Sequence, residues 1–571
     1  MTPLPRDLDA LVRRVTSSVE RLLAQQDRDA DAPTAGCFHP AHWRDKSASF
    51  ADMRRQEAVL PLALMWRYEF PGNVCRGESR LLESALLGLR YWCATQHDDG
   101  TFDEWYVREH GYATTAFSTF AVALTVDTLG DALADPLRAD VLRALRKSAD
   151  WLATHDDWFK TNHEAVGVAA LGVAAKTLAD SKYAARARHN AACLSSRQHS
   201  EGWSEEVTSV DVGYSFLLAE YLGLHAVLCG EPDSLAPARR ALKFAAHFLH
   251  PNMTTSADYG ICANPYVSRL AAVALAPHDA TAAAMVRWMQ RVEGTEPTST
   301  LEDDLRLTRW AFQPLLAALL SDGRISSALA PATVPTEPLF FERTTADFIA
   351  KSAGLSAHAR PGYVAWLSAA SGAVVRIAFR DGDGFLQPVA ERGLALREGS
   401  VVSRTRAWNR NGMPQGSTNE LELTAPFVRC RFVQPSGLQR MLLSFATRLP
   451  GGPRWSRKLI DVWRARKGTA LNQSTAAVGA GSGSATLQRR VHLREHEVQV
   501  DDTVVGAVNI ANLSLEIQGA CAGLPLARDA AFRVPLSACG ATISPRGIQC
   551  VRVLRCEGER VVWERRAGPS T

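Results

Sequence analysis

Across 571 residues the chain has no uninterrupted apolar run near the roughly 18 residues a membrane-crossing helix needs, so no membrane span is expected. The N-terminal MTPLPRDLDALVRRVTSSVERLLAQQD lacks the apolar core of a secretory signal and reads as an amphipathic helix with charges throughout. With its initiating Met, it sets a cytoplasmic expectation. Eleven cysteines stand at 37, 75, 93, 193, 229, 262, 430, 521, 539, 550 and 556, an odd number with no CxxC. That spacing argues against a zinc ribbon or a disulfide framework and leaves buried free thiols. No G-x-x-x-x-G-K-[ST] loop or dinucleotide fingerprint is present, so nucleotide chemistry, a cofactor and a nucleic-acid partner are not expected. Histidine is missing altogether between His358 and His492.

What is present points to two large domains, since one ordinary core does not grow to this length. The composition, 46% hydrophobic and 22% charged, is that of a globular protein. The net charge of +4 conceals a bias: nearly all the positive charge is arginine, whose planar fork suits carboxylates, phosphates and sulfates, although Arg-rich coding produces the same bias.

From residue 1 to about 325 the sequence is rich in Ala and Leu at helical spacing, with short Gly, Asp and Pro breaks. Segments 112–130, 165–180 and 215–230 are apolar nearly all round, the mark of an inner layer, and more polar helices such as 136–155 and 234–250 lie between them. QHDDGTFDEWYVREHGY (96–112) lies without gaps over QHSEGWSEEVTSVDVGY (198–214), an offset of 102 that also carries Asn162 onto Asn264. Half of it, 51, is the length of one helical hairpin, so hairpins repeat with alternating apolar and polar helices. This predicts an α/α toroid over residues 1–330, preferred to an open solenoid because polar residues gather at one end of the inner helices. After a linker at 331–338 (PATVPTEP begins at 331), residues 339–571 show period-2 alternation, β-branched residues and Gly/Asp turns, which predicts an antiparallel β-sandwich. The stretch TAAVGAGSGSATLQ (475–488) reads as a loop within it.

Four inner helices open on polar or aromatic groups: REHGY (108–112), TNHEA (161–165), DVGY (211–214) and ANPY (263–266). From His110 to His163, Tyr214 and Tyr266 the steps are 53, 51 and 52 residues, so these groups face one another across a cleft at adjoining helix N-termini. Such a set permits proton abstraction beside a carboxylate. Donors neutralise a uronate carboxylate, a Tyr or His takes the acidified C5 proton, and a Tyr or His protonates the departing O4. Asn162 and His163 suit the first task. Tyr214 suits the proton transfer, with a phenol pKa expected to be lowered by positive neighbours.

TNHEA followed one hairpin later by Tyr214 resembles polysaccharide lyases of the heparinase II/III and oligo-alginate lyase type, which join an α/α toroid to a β-sandwich. The resemblance implies β-elimination on an anionic, uronic-acid-containing oligo- or polysaccharide, with Asn162, His163 and Tyr214 as catalytic residues; the family sometimes holds zinc in its β domain, but the residues here lead us to expect no metal. His110, Tyr112, Trp105, Trp203, Asn264 and Tyr266 are the substrate-binding candidates from the toroid. Those lyases usually add a His or Tyr from the β domain. Here that region offers Tyr363, Arg404, Arg406, Trp408 and Asn409, with the RTRAWNRNG turn (404–412) placed at the cleft.

Two other classes stay open. Inverting glycosidases on the same toroid use two carboxyls, which Asp103 or Glu104 with Glu205, Glu206 or Asp211 would supply. A glycan-binding protein without turnover is the second. The Gln…Gly-Trp loops also resemble those of terpene cyclases, but LEDDLRL (301–307) is a poor diphosphate motif. HLREHE (492–497) spells a zinc motif only on a helix. It runs into an alternating strand, where the two histidines would stand roughly 13 Å apart. Each candidate has a plainer reading as well: Asn162 as a helix cap, His163 as a satisfied core histidine, and the acids as helix-start residues.

Overall fold

The computed structural model describes residues 3–292, 303–382, 384–409, 411–431, 437–449, 476–477, 485–506, 508–518, 531–536, 539, 541–544, 547–557 and 560–566. The chain opens with α1 (Arg6–Ser17), α2 (Val19–Leu23) and α3 (Pro40–Trp43). A 3-10 turn, Met53–Ala58, then leads into α4 (Val59–Arg67), α5 (Ser79–Thr95), α6 (Tyr112–Leu129), α7 (Leu137–Thr154) and α8 (Thr161–Thr177). The series continues through α9 (Ser181–Arg197), α10 (Val212–Cys229), α11 (Leu235–Ala246), α12 (Arg269–Leu275), α13 (Ala280–Met289), α14 (Asp304–Trp310) and α15 (Phe312–Ser321).

Packing sorts these into two layers. α4, α6, α8, α10, α12 and α15 each pack on the next, and α15 returns to α4, so the inner layer closes into a ring. α5, α7, α9, α11 and α13 each pack outside their inner partner, and α1 covers α15. This is an α/α toroid, as the sequence predicts. Patterning explains the sorting. α7 buries Val141, Ala144, Leu145, Ala149 and Leu152, one stripe at 3–4 spacing, whereas α10 buries residues on every side. By length and composition α10 would pass as a membrane span, contrary to the expectation of none, yet 89% of it is buried within the ring. An inner helix walled on all sides by protein needs the same composition as one walled by lipid.

The Gln-His-…-Gly repeat is a structural turn. Gln96 Nε2 donates to the Gly100 carbonyl and to Ala144 O of the adjacent outer helix, and Gln198 Nε2 does the same with Gly202 O and Pro237 O. The backbone closes His97 N to Thr101 O, His199 N to Trp203 O and, 51 residues on, His250 N to Thr254 O. Gly100 (φ +91°) and Gly202 (φ +101°) press against the outer helices so closely that a Cβ would lie 2.5 Å from Lys147 O or 2.6 Å from Arg240 O. The likeness to cyclase loops therefore has a packing cause.

Beyond Ser321 the first strand begins at Ala346. Strands Ala346–Ala350, Leu355–Arg360, Tyr363–Ser368, Val374–Asp381, Val389–Glu398 and Val401–Arg404 follow as antiparallel neighbours in the larger of two sheets. The smaller sheet is built on Ala485–Leu493, Glu497–Gly506 and Gly547–Glu557. The sheets share a core in which Tyr363, Ala365 and Leu367 meet Leu421, Leu487 and Val500, the β-sandwich of the sequence reading. On its other face the larger sheet places Ala357, Val364 and Trp366 in the core of the helical domain. Two covered faces explain why Leu355–Arg360 and Tyr363–Ser368 are buried at every position rather than at alternate ones.

Several expectations need correction here. The second domain is not purely β, since a helix spans Gly437–Ala446. Of the 475–488 stretch, Ala476–Ala477 pairs with Cys430–Arg431 and 485–488 open a long strand, while 475 and 478–484 lie outside the described residues, as do Arg410 and Cys521. His492 is on a strand, bonded to Asp501 (3.1 Å), and His496 is in the following turn, so HLREHE forms no metal site. Cys37, Cys75, Cys93, Cys193, Cys229, Cys262, Cys539, Cys550 and Cys556 take part in no disulfide.

Candidate active site at the inner-helix starts

α8 and α10 are ring neighbours, and each begins with a candidate. Asn162 is the second residue of α8 and is buried. Its backbone N–H donates to Glu206 Oε1 (2.7 Å) and its side-chain amide to Glu206 Oε2 (2.6 Å), while Thr161 Oγ1 donates to the same carboxyl (2.9 Å). The α8 N-terminus, expected to lend positive charge to the cleft, is thus already occupied by Glu206. Burial pushes the Glu206 carboxyl up to about 8, against the downward pull of those donors. Asn162 is therefore held as a partner of Glu206 and is not free to neutralise a substrate carboxylate.

His163, one residue on, is half-buried with Nδ1 2.8 Å from Asp157 Oδ2. Burial lowers its pKa below the ordinary value, with Lys160 adding to the effect and Asp157 opposing it. The ring is neutral near pH 7. When Nδ1–H donates to Asp157, Nε2 keeps its lone pair. His163, expected as a donor to the substrate carboxylate, is instead placed as a base, with Nδ1 held by Asp157.

Tyr214 stands half-exposed in the first turn of α10, whose N-terminus is capped by Asp211 Oδ1 accepting the Tyr214 N–H (3.1 Å). Burial raises its phenol well above the ordinary value, with Cys262, Asp211 and Glu206 adding to it and Arg54 opposing. The expected lowering is overturned. Desolvation outweighs the one nearby cation, and the hydroxyl keeps its proton.

Ring closure brings in groups that the repeat did not reveal. Arg54, from the turn before α4, donates Nε to Glu57 Oε1 (2.8 Å), and its guanidinium lies 3.5 Å from the centre of the Phe117 ring. Phe117 meets Tyr221 edge-on at 5.5 Å, and Tyr221 lies two turns below Tyr214 on α10. Arg309, the penultimate residue of α14, reaches Asp52 (2.7 Å) and Glu104 (3.0 Å). These residues belong to the first and last hairpins. The signal that could have found them was the closure itself, because in a closed ring the starts of the first and last inner helices stand level with the others.

The other candidates divide. Trp105 is 62% exposed on the loop before α6 and suits stacking on a sugar ring. His110 bonds Asp99 and Thr101 (both 2.8 Å) and stacks on His97. Asn264 is half-buried, with its carbonyl against Gly213. Tyr112 is buried with its hydroxyl on Glu164 (3.2 Å), and Tyr266 is buried with its hydroxyl on Glu220, so neither binds substrate. Trp203 is also buried, stacked on His199 and donating to Ser352 of the second domain (3.1 Å). Arg404 pairs with Glu516 inside the large sheet, and Tyr363 lies in the sandwich core. Arg406 pairs with the buried Asp258 of the helical domain (2.6 Å), and Trp408 packs on the helical core, so these two residues meet the toroid at the domain junction.

The glycosidase pairing loses its acids to backbone and ion-pair duties. Asp103 accepts from the N–H groups of Arg108, Glu109 and His110 and contacts His97. Asp211 accepts from Tyr214 and Cys262. Glu104 is paired with Arg309, and Glu206 with Asn162. No group of three or more potential metal ligands occurs among the described residues.

A closed toroid joined to a β-sandwich, with a neutral imidazole and a protonated phenol on adjacent inner-helix starts, defines the class of fold and site. Residues 15–263 match the family model of the Ulvan lyase N-terminal domain. That match bears out the resemblance to heparinase-like polysaccharide lyases. No curated protein matches the chain. Among solved structures, the chondroitin AC lyase of Streptomyces coelicolor A3 in complex with chondroitin sulphate is 15% identical over 89% of this chain and 68% of its own, with a TM-score of 0.49. Heparinase III is 11% identical (88% and 69% covered, TM-score 0.41). A heparan sulfate lyase mutant from Pedobacter heparinus is 10% identical (97% and 78%, TM-score 0.36).

Proposed function

We propose that the protein is a polysaccharide lyase that cleaves an anionic, uronic-acid-containing glycan by β-elimination. The observation that carries the reading is the placement of His163 and Tyr214 at the starts of two inner helices that pack on each other, with His163 Nδ1 held by Asp157. In the reaction, His163 Nε2 takes the C5 proton and Tyr214 Oη gives its proton to O4 as the C4–O4 bond breaks. The electron pair of the C5–H bond becomes the 4,5 double bond of the new non-reducing end. Solvent then reprotonates Tyr214 and deprotonates His163. Asp157 holds the imidazole in its tautomer, and Trp105 offers a face to a sugar.

The test is the ultraviolet absorbance of a 4,5-unsaturated product from ulvan, chondroitin sulfate and heparan sulfate. A lyase produces it on at least one of them. New reducing ends without absorbance would mean hydrolysis, and binding with neither would mean a glycan-binding protein. Either result overturns the reading.

A further inference from the structure

Any charge-neutralising role at this site needs a donor that the fold has not already engaged. Asn162 fails that condition, since both its backbone N–H and its amide donate to Glu206. His163 fails it too, being neutral with Nδ1 on Asp157. Arg309 also has an unpartnered Nε, but both of its terminal nitrogens are bound to carboxylates, Nη2 to Asp52 and Nη1 to Glu104. Arg54 differs. Its side chain is only 10% exposed, Nε is on Glu57, and Nη2 is buried with no hydrogen-bond partner. A buried guanidinium N–H without an acceptor is costly, and the cost is removed when an anion arrives.

Position supports this reading. The guanidinium carbon lies over the Phe117 ring, 3.5 Å from its centre, a contact that leaves the guanidinium nitrogens as the bonding surface. Phe117 bears on Tyr221, and Tyr221 is on the Tyr214 side of α10, seven residues along. Glu57, the one carboxyl paired with Arg54, is fully buried, and burial pushes it up to about 7.

We propose that Arg54 is the carboxylate receptor of this site, the residue that binds and neutralises the uronate group while Asn162 serves to hold Glu206. The proposal deepens the lyase reading and rests on it for its kinetic consequence, but its binding consequence stands apart. A charge-assisted pair with the uronate carboxylate acidifies the C5 proton that His163 removes, and its loss falls on turnover as well as on affinity.

Binding is tested first, by affinity electrophoresis of the full-length protein through gels holding a uronate polymer or the same polymer with its carboxylates reduced to alcohols. Wild type should be retarded more by the uronate polymer. Arg54→Gln should lose that preference, and Arg54→Lys, which keeps the charge but not the fork, should keep part of it. Because Gln leaves Glu57 without its partner, the Arg54→Gln/Glu57→Gln pair is run beside it as a folded control, with the same loss expected. In the kinetic arm, Arg54→Gln should lower kcat/KM by about 10²-fold on the free uronate polymer, the scale of one lost electrostatic donor. On the methyl-esterified polymer, where no charge-assisted pair forms in the ground state, the loss should be smaller. If Arg54→Gln retains the preference for carboxylated polymer, or loses activity equally on free and esterified substrate, the proposal is overturned. If wild type yields no unsaturated product, the lyase reading fails and the electrophoresis alone decides the receptor role.

Discussion

Tyr112 and Tyr214 occupy the same position in two repeats 102 residues apart, and their surroundings give them different work. Tyr112 is walled in, with its hydroxyl on Glu164, whereas Tyr214 remains half-exposed. Tyr214→Phe should keep the ring's packing and melting behaviour and lower turnover by about 10²–10⁴-fold, the range for loss of a general acid. Tyr112→Phe should do the reverse, costing about 1 kcal/mol of stability for one buried hydrogen bond with turnover nearly unchanged. Steady-state kinetics and denaturant titration of both variants check the pair. Equal losses of activity would remove the distinction drawn between them. Glu206→Ala should destabilise by about 1–3 kcal/mol for each donor it leaves buried and unpaired, with Asn162 contributing two. Asn162 was legible as a special residue at a helix start. Its partner was not, because Glu206 is 44 residues away and reaches α8 only when the loop before α10 folds over it.

At the level of elements, the hairpins depend on glycines where backbones meet. A Cβ on Gly213 would lie 2.0 Å from Asn264 O, inside the contact between the α10 start and the 263–266 segment. Gly213→Ala should therefore displace that segment and lower both stability and turnover, which melting and kinetics on one preparation will show together. At Gly202, where φ is +101° and the Arg240 carbonyl is 2.6 Å from a built Cβ, Gly202→Ala should cost at least about 1 kcal/mol through strain alone. The helices themselves were readable from their periodicity. The helix Gly437–Ala446 was not, since alternation in the flanking segments set the expectation for the whole domain.

For the whole molecule, the junction and the buried carboxyls give opposite pH dependences. Burial pushes Glu206 up to about 8, and Glu57, Asp211 and Glu220 up to about 7. Each binds its proton more tightly folded than unfolded. Its contribution to stability is complete below the unfolded value of about 4 and is lost as pH rises through 7 to 8. Asp258 runs the other way. Despite complete burial, Arg406, Arg392 and Arg376 of the β domain hold its carboxyl well below the usual range, so its contribution is present above about pH 4 and is lost in acid. Thermal melts should show stability declining as pH rises from 7 towards 8.5, the range in which the raised carboxyls ionise. Asp258→Ala should leave three arginines facing no anion, cost about 3–5 kcal/mol and separate the melting of the two domains in calorimetry. A single unshifted transition would contradict that account of the junction.

The sequence by itself determined the layers. The period of 3.6 against 2 separates toroid from sandwich, and the 51-residue step places the starts of four inner helices at one end, because both are local or repeating properties of the chain. Only the tertiary structure decided which of the gathered polar groups remain available. Asn162, Asp103 and Asp211 are engaged by neighbours, Tyr112 and Tyr266 are sealed in, and the pKa of Tyr214 rises instead of falling. Arg54 and Arg309 join from the two ends of the helical region when α15 closes on α4. Hydrogen-bond engagement and desolvation depend on which atoms surround a group in space, and for a ring that closes across more than 250 residues, neighbours in space are not neighbours in sequence.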